Sequence, residues 1–270
     1  MTREAWTVAR FVGREKRFTV HVDLPDGRRA AAHTNNTGRL TGCVAPGARC
    51  WLSPAADPRR KLAWTLEATE APSCAAGRTP SAPPVGVPAD APAPAPGQVL
   101  VGVNTAAPSR LVADAIDAGL LPELADCRVV RREARYPEAI APGSRADLLL
   151  RDDRDRDVWV EIKNVTWVRD GLALFPDAPT ARGRKHLGDL AACVAAGHRA
   201  ALVFCVQRAD ADRVAAAVTI DPDYARLLHR AAADGVHCLG LLAAVTPDGV
   251  TPAGPLPVST DHPSEEQVAP

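Results

Sequence analysis

Asp147, Glu161 and Lys163 are the residues of this 270-residue chain whose types and spacing fit a chemical task. They stand in the stretch SRADLLLRDDRDRDVWVEIKNVT, residues 144–166. An acid on one strand and Glu-x-Lys on the next is the arrangement of a Mg²⁺-dependent phosphodiesterase. Two carboxylates offer hard oxygen ligands to the ion, and an ammonium group beside them faces the attacked phosphate. The alternative is that Asp147 ends a strand at the surface while Glu161 and Lys163 form a solvated ion pair, which contributes little.

For the chemical reading to hold, a β-hairpin must bring the acids together. Ala146–Leu150 is an apolar run, residues 151–157 (RDDRDRD) form a charged turn, and Val158–Val165 alternates. That alternation puts Val158, Val160 and Ile162 on one side and Trp159, Glu161 and Lys163 on the other. With the turn centred on Arg154, Leu150 faces Val158 and Asp147 falls opposite Glu161. Directly opposed residues have Cβ atoms roughly 4.5–5.5 Å apart. Two carboxylates that close repel, and one moves toward protonation unless a cation sits between them.

The rest of the chain divides into parts that could carry this hairpin. Residues 1–70 read as about five short strands punctuated by Gly and Pro, the pattern of a small β-barrel. Residues 71–98 are Ala/Pro-rich and read as a solvated linker. Residues 99–258 read as an α/β domain. In it, a helix capped by Ser109 buries Leu111, Val112, Ala115 and Ile116, and strands follow near 129–136, 146–150 and 158–165. A helix over 180–197 buries Leu187, Leu190 and Val194. It leads to the wholly apolar strand Ala200–Val206, which requires a right-handed crossover between parallel strands. A helix from Tyr224 to Ala233 and a strand over 236–245 complete it, and residues 259–270 read as a disordered tail.

Charge is zero overall, but residues 1–70 hold twelve Lys/Arg against seven Asp/Glu, a net +5 that suits an anionic partner. The seven cysteines form no CxxC pair, and Cys193, Cys205 and Cys238 sit in apolar runs. With no long apolar segment, the expectation is a reduced, cytoplasmic protein without a membrane span.

Two further groups of residues bear on a phosphate-bearing partner. Arg182, Lys185, His186 and Asp189 share a helix face, with the two cations in first turns where the helix dipole disfavours them. This face reads either as solvated surface or as a grip on a phosphate beside the metal. In the barrel, Arg14, Lys16, Arg17, Arg39, Arg59, Arg60 and Lys61 are interleaved with Phe18 and Trp64, as on a single-strand platform. The alternative is an ordinary Arg-rich surface. His33 reads as structural and Asn35-Asn36-Thr37-Gly38 as a turn. Arg17, Asn36, Arg39, Lys61 and Trp64 are the barrel residues assigned here to nucleic-acid contact.

Helix-βββ-helix-β with D…ExK resembles the PD-(D/E)XK nuclease superfamily. More specifically, VGVNTAAPSRLV (101–112), SRADLLL (144–150), VEIKNVTWVRDGLALFPDAPTARGRKHL (160–187) and GHRAALVFCVQR (197–208) resemble the sugar fermentation stimulation protein family. GREKRF (13–18), AHTNNTGRL (32–40), PGARCWL (46–52) and RKLAWTLE (60–67) fit the same family. The resemblance implies an N-terminal OB-like barrel and a C-terminal nuclease-like mixed sheet flanked by helices. It also implies a nucleic-acid-binding protein acting on DNA, with RNA the second candidate. On the superfamily's motif, Asp147, Glu161 and Lys163 are the catalytic residues, and Asp147, Glu161 and the Ile162 carbonyl hold Mg²⁺ or Mn²⁺. Glu133 is an auxiliary carboxylate. Arg184 stands where some members carry Gln, and the stretch 71–97 reads as an insertion. The competing readings are a non-catalytic DNA-binding regulator linked to maltose metabolism and a hydrolase of small phosphodiesters.

Overall fold

Short strands in the N-terminal quarter close a barrel by turning apolar side chains onto a shared interior. They are β1 (Thr7–Glu15), β2 (Thr19–Asp23), β3 (Arg29–His33), β4 (Arg49–Pro54) and β5 (Trp64–Pro72). The computed structural model describes residues 6–57, 59–74 and 94–261. β1 pairs with β2 and β4, β2 with β3, and β4 with β5; a parallel pairing of Ala32–His33 with Trp64–Thr65 closes the OB-like ring. Val20, Val22, Ala32, Cys50, Leu52 and Leu66 fill it, all fully buried.

β6 (Gln98–Gly102) then pairs antiparallel with β5, Val99 opposite Ala71. The sequence opens the second unit at residue 99, whereas this strand extends the sheet of the barrel. Most of the Ala/Pro-rich stretch, residues 75–93, lies outside the described residues.

The second unit runs α1 (Ala107–Asp117), β7 (Cys127–Arg135), β8 (Arg145–Asp152), β9 (Asp157–Val165), β10 (Val168–Arg169), β11 (Leu172–Phe175), α2 (Ala181–Ala195) and β12 (Arg199–Val206). It continues with β13 (Arg213–Ala216), α3 (Pro222–Ala233), β14 (His237–Thr246), β15 (Gly249–Leu256) and β16 (Val258–Ser259). The central mixed sheet has the order β15-β14-β12-β9-β8-β7, with β9, β12 and β14 parallel. The crossover from β9 through α2 to β12 is the one expected.

One face of the sheet packs on α1 through Leu111, Val112, Ala115 and Ile116 against Leu148, Leu150, Val158, Val160, Ala201 and Val203. The other packs on α2 and α3 through Leu187, Leu190, Tyr224 and Leu228 against Trp159, Leu202 and Phe204. Fully burying each Val or Leu contributes about 1.5–3 kcal/mol, so β9 and β12 are anchored on both faces and hold their side chains in place.

Three expectations are corrected. Ser109 does not cap α1: the helix starts at Ala107 with Pro108 in its first turn, where a missing N–H costs nothing. Ser109 instead accepts hydrogen bonds from Arg132 through its carbonyl and hydroxyl oxygens. The strands β10, β11, β13 and β16 form a small second sheet that the sequence reading lacks. β16 also orders the start of the expected tail, while residues 262–270 lie outside the described residues.

Barrel and mixed sheet are tied by polar and apolar contacts. The backbone of Gly102 donates to the Gln207 carbonyl at 2.8 Å, and Trp51, Ala68 and Leu100 pack with Trp6 and Val245. Arg208 and Asp210 form a buried ion pair at 2.6 Å; Arg208 also donates to the Thr166 carbonyl, and Asp210 accepts from the Cys74 N–H. Among the described residues no helix is long and apolar enough to cross a membrane. The cysteines are all free, with Cys193 and Cys205 buried and Cys238 partly so.

Candidate active site

The hairpin forms in the expected register. Leu150 pairs with Val158 and Leu148 with Val160, which sets Asp147 across from Glu161 at the end of the ladder. Asp147 Oδ2 accepts the Ile162 backbone N–H at 2.6 Å. Burial first, and the Glu161 charge second, push the half-buried Asp147 carboxyl up to about 6, despite that hydrogen bond and the nearby Lys163.

Glu161 is fully buried. Its Oε1 accepts from the Tyr136 hydroxyl at 3.2 Å, and the Tyr136 ring packs on Trp159 with centroids 4.8 Å apart. Its Oε2 touches His186 Nδ1 and lies 3.5 Å from Lys163 Nζ, so the buried carboxylate is enclosed by a tyrosine, a histidine and a lysine.

Lys163 is buried as well, and desolvation lowers its pKa against the raising effect of Glu161 and Asp147. Its Nζ lies 2.9 Å from His186 Nδ1, while Arg182 Nε donates toward His186 Nε2 at 3.2 Å. A neutral imidazole has one acceptor nitrogen, so the ring accepts from Lys163 or from Arg182, not both. A proton on Nδ1 faces Glu161 and leaves Nε2 for Arg182.

This donor set fits a hard divalent cation. Two acids on adjacent strands provide oxygens, one wholly buried, and the other pushed toward its neutral form by burial and then by its neighbour's charge. A cation between them would relieve both penalties, with the Ile162 carbonyl as a further oxygen candidate. Elsewhere, Asp126, Asp152 and Asp153 bring carboxylate oxygens within 4.8 Å of one another. Asp152 there already accepts from Arg156, Arg199 and the backbone of Arg154, so cations of the chain itself serve that cluster.

Asp147, Lys163 and Ile162 open into a cleft of about 750 Å³ between barrel and sheet. Its other walls are the loop 35–38, the turn into α1 (Thr105–Ser109) and the segment 174–182. The barrel loop is fixed by contacts across the two units: Asn36 Nδ2 donates to the Val103 carbonyl and Asn35 Nδ2 to Asn104 Oδ1. The Arg39 backbone N–H donates to Asp177. Gly38 packs closely here, since a Cβ would stand 2.9 Å from Asp177 Oδ2 and 3.0 Å from Asn36 Oδ1 and would displace those side chains.

Of the residues expected at the site, Asp147, Lys163, Ile162, Glu133, Asn36 and Arg182 line this cleft, and Glu161 lies directly beneath it. Glu133 adds to the charge that raises Asp147. The remaining assignments sit elsewhere. His186 turns inward onto Glu161 and Lys163 instead of facing solvent, and Lys185 binds Asp189 and Ser144. Trp64 is half-buried against the barrel core, leaving Phe18, 51% exposed and stacked on His33, as the open aromatic of that face. Arg17, Arg39 and Lys61 are exposed and outside the cleft. Arg14 clamps the carbonyls of Arg17, Asn36 and Gly38, and Arg184 binds Asp221 at the start of α3.

Tyr136, Asn35, Thr105 and Asp177 were not among the expected residues. Tyr136 reaches Glu161 across the intervening β8, and the other three line one cleft only because three distant segments fold together. No spacing in the sequence signals either arrangement.

Residues 106–249 match the family described as the sugar fermentation stimulation protein RE domain, and residues 12–77 match the SfsA N-terminal OB domain. A sugar fermentation stimulation protein homolog of Thioalkalivibrio sulfidiphilus is 46% identical over 238 residues, covering 88% of each chain. One from Rhodospirillum centenum is 46% identical over 243 residues, covering 90% of this chain and 92% of its own. The solved structure of Pyrococcus furiosus SfsA in complex with Ca²⁺ is similar at a TM-score of 0.77 and 25% identity, covering 96% of this chain and 98% of that one.

Proposed function

The chain belongs to the sugar fermentation stimulation protein family, and on that premise we propose that it is a divalent-metal-dependent nuclease that binds DNA and hydrolyses phosphodiester bonds in the cleft between barrel and sheet. The observation that carries this reading is that Asp147 and Lys163 line one cleft while the buried Glu161 lies 3.5 Å from the Lys163 ammonium group. The Ca²⁺ bound by the Pyrococcus furiosus relative supports a divalent ion in this family.

Asp147 and Glu161 would hold Mg²⁺ or Mn²⁺ through oxygens, with the Ile162 carbonyl beside them. When bound, the ion supplies Lewis acidity to the phosphate and a water of lowered pKa. Lys163, desolvated and held beside Glu161, presents its ammonium group where negative charge builds on the phosphoryl oxygens. Tyr136 and the Ile162 N–H fix the orientation of the two acids, so little rearrangement accompanies the reaction.

The test is cleavage of labelled DNA by the wild type, Asp147→Ala and Lys163→Ala with Mg²⁺, Mn²⁺ or chelator. Metal-dependent cleavage by the wild type that both variants lose, with binding retained, supports the proposal. Binding without cleavage under any metal contradicts it and leaves a DNA-binding protein that retains the scaffold.

A further inference from the structure

The cleft adjoins a second space on the barrel. A second depression of about 620 Å³ lies on the barrel, lined by His33, Arg60, Lys61, Leu62, Thr65 and Asn104 among others. Asn35 and Ala106 line both spaces, so the depression and the cleft meet at the junction of the two units.

The chemistry differs between the two spaces. At the barrel end, Arg60 and Lys61 form no ion pair within 4.0 Å among the described residues, and the Arg60 guanidinium donates to the Thr65 hydroxyl. His33 lines that end with its ring stacked on the exposed Phe18. Cations beside an aromatic face suit a phosphate backbone carrying unpaired bases. At the other end stand Asp147, Lys163 and Arg182.

The wall between the ends resists displacement. Asn35 Oδ1 accepts from the Thr105 N–H, Asn35 and Asn36 donate to residues 103–104, and Arg14 holds the carbonyls of Asn36 and Gly38. A cleft of about 750 Å³ falls within the roughly 300–1,000 Å³ of small-ligand sites. That size suits unpaired nucleotides.

We propose that the two spaces together form a track for a single-stranded polynucleotide, gripped by Arg60 and Lys61 on the barrel and led past Asn35 and Ala106 to Asp147 and Glu161. This rests on the nuclease reading above and names its substrate class: single strand or frayed end, not intact duplex. Ribo- and deoxyribonucleotide strands share the phosphate spacing and base faces that the track would recognise.

The test is fluorescence anisotropy of labelled oligonucleotides in chelator, so that binding is read without hydrolysis. Single-stranded DNA, single-stranded RNA and blunt duplex DNA are compared across salt. At least one single strand is expected to bind about tenfold or more tighter than the duplex. Arg60→Glu with Lys61→Glu should weaken it about tenfold. Losing two phosphate contacts should flatten the slope of log K against log salt by about 1.4, at about 0.7 per contact for single strands. Arg230→Glu on α3, outside both depressions, should change little, and thermal melting of each variant checks its folding. Duplex binding as tight as single-strand binding overturns the proposal, as does an equal effect of the Arg230 change. Absence of cleavage leaves this readout intact, and cleavage of blunt duplex without strand preference sinks the track while sparing the nuclease.

Discussion

The two walls of the cleft are built on opposite principles. On the sheet side, Asp147, Glu161 and Lys163 project from strands packed on both faces, and their charges are held out of water: one acid lifted to about 6, one wholly buried carboxylate, one desolvated ammonium. On the barrel side, Asn35, Asn36 and Gly38 come from irregular backbone, and their amide groups are paired. The sheet wall thus holds electrostatic tension that a ligand can release, whereas the barrel wall holds shape. Changes to the first should alter chemistry, and changes to the second should alter fit.

Lys163→Ala is expected to have the largest effect. Losing one group that stabilises transition-state charge costs about 10²–10³ in turnover, so single-turnover cleavage should fall by that range while DNA affinity stays within a few-fold. A drop in affinity of the same size would erase the contrast between the walls.

Asp147→Asn sharpens the contrast from the stability side. The folded-state pKa of Asp147 is raised above its ordinary 3.8, so its favourable contribution is full below pH 4 and is lost as pH rises through about 6. Asn does not ionise. In chelator, the variant should therefore gain up to about 3 kcal/mol over wild type above pH 6 and nothing below pH 4, read by denaturant unfolding. An equal gain at both pH values would assign the effect to packing.

Gly38→Ala probes the opposite wall. Its Cβ would press on Asp177 and Asn36, breaking the Arg39–Asp177 contact, at about 1–2 kcal/mol of stability. Substrate affinity should weaken with turnover nearly unchanged at saturation. A lost turnover at saturation would place the loop in the chemistry itself.

Legibility in the sequence follows the same division. Asp147, Glu161 and Lys163 were readable because strand alternation and a charged turn fix register without reference to the rest of the chain. The barrel strands and the β9-α2-β12 crossover were readable for the same reason. β10, β13 and β16, of two to four residues, are too short for any period, and β15 carries Pro252 and Pro255, tolerated because it lies at the edge of its sheet. His186 shared a polar helix face with Arg182 and Lys185, and only the tertiary packing turns it inward. The cleft wall of Asn35, Thr105 and Asp177 is joined by contacts spanning 70 and 138 residues, beyond the reach of local pattern.

The most direct test of the paired acids is a Mn²⁺ titration followed by electron paramagnetic resonance, at pH 7.5 and at pH 5, without nucleic acid. The account predicts binding by the wild type that weakens at least tenfold in Asp147→Ala and in Glu161→Gln. It also predicts that wild-type affinity falls about tenfold at pH 5, where a carboxyl with a pKa of about 6 is mostly protonated. Mn²⁺ binding that is unchanged in both variants and indifferent to pH would contradict it.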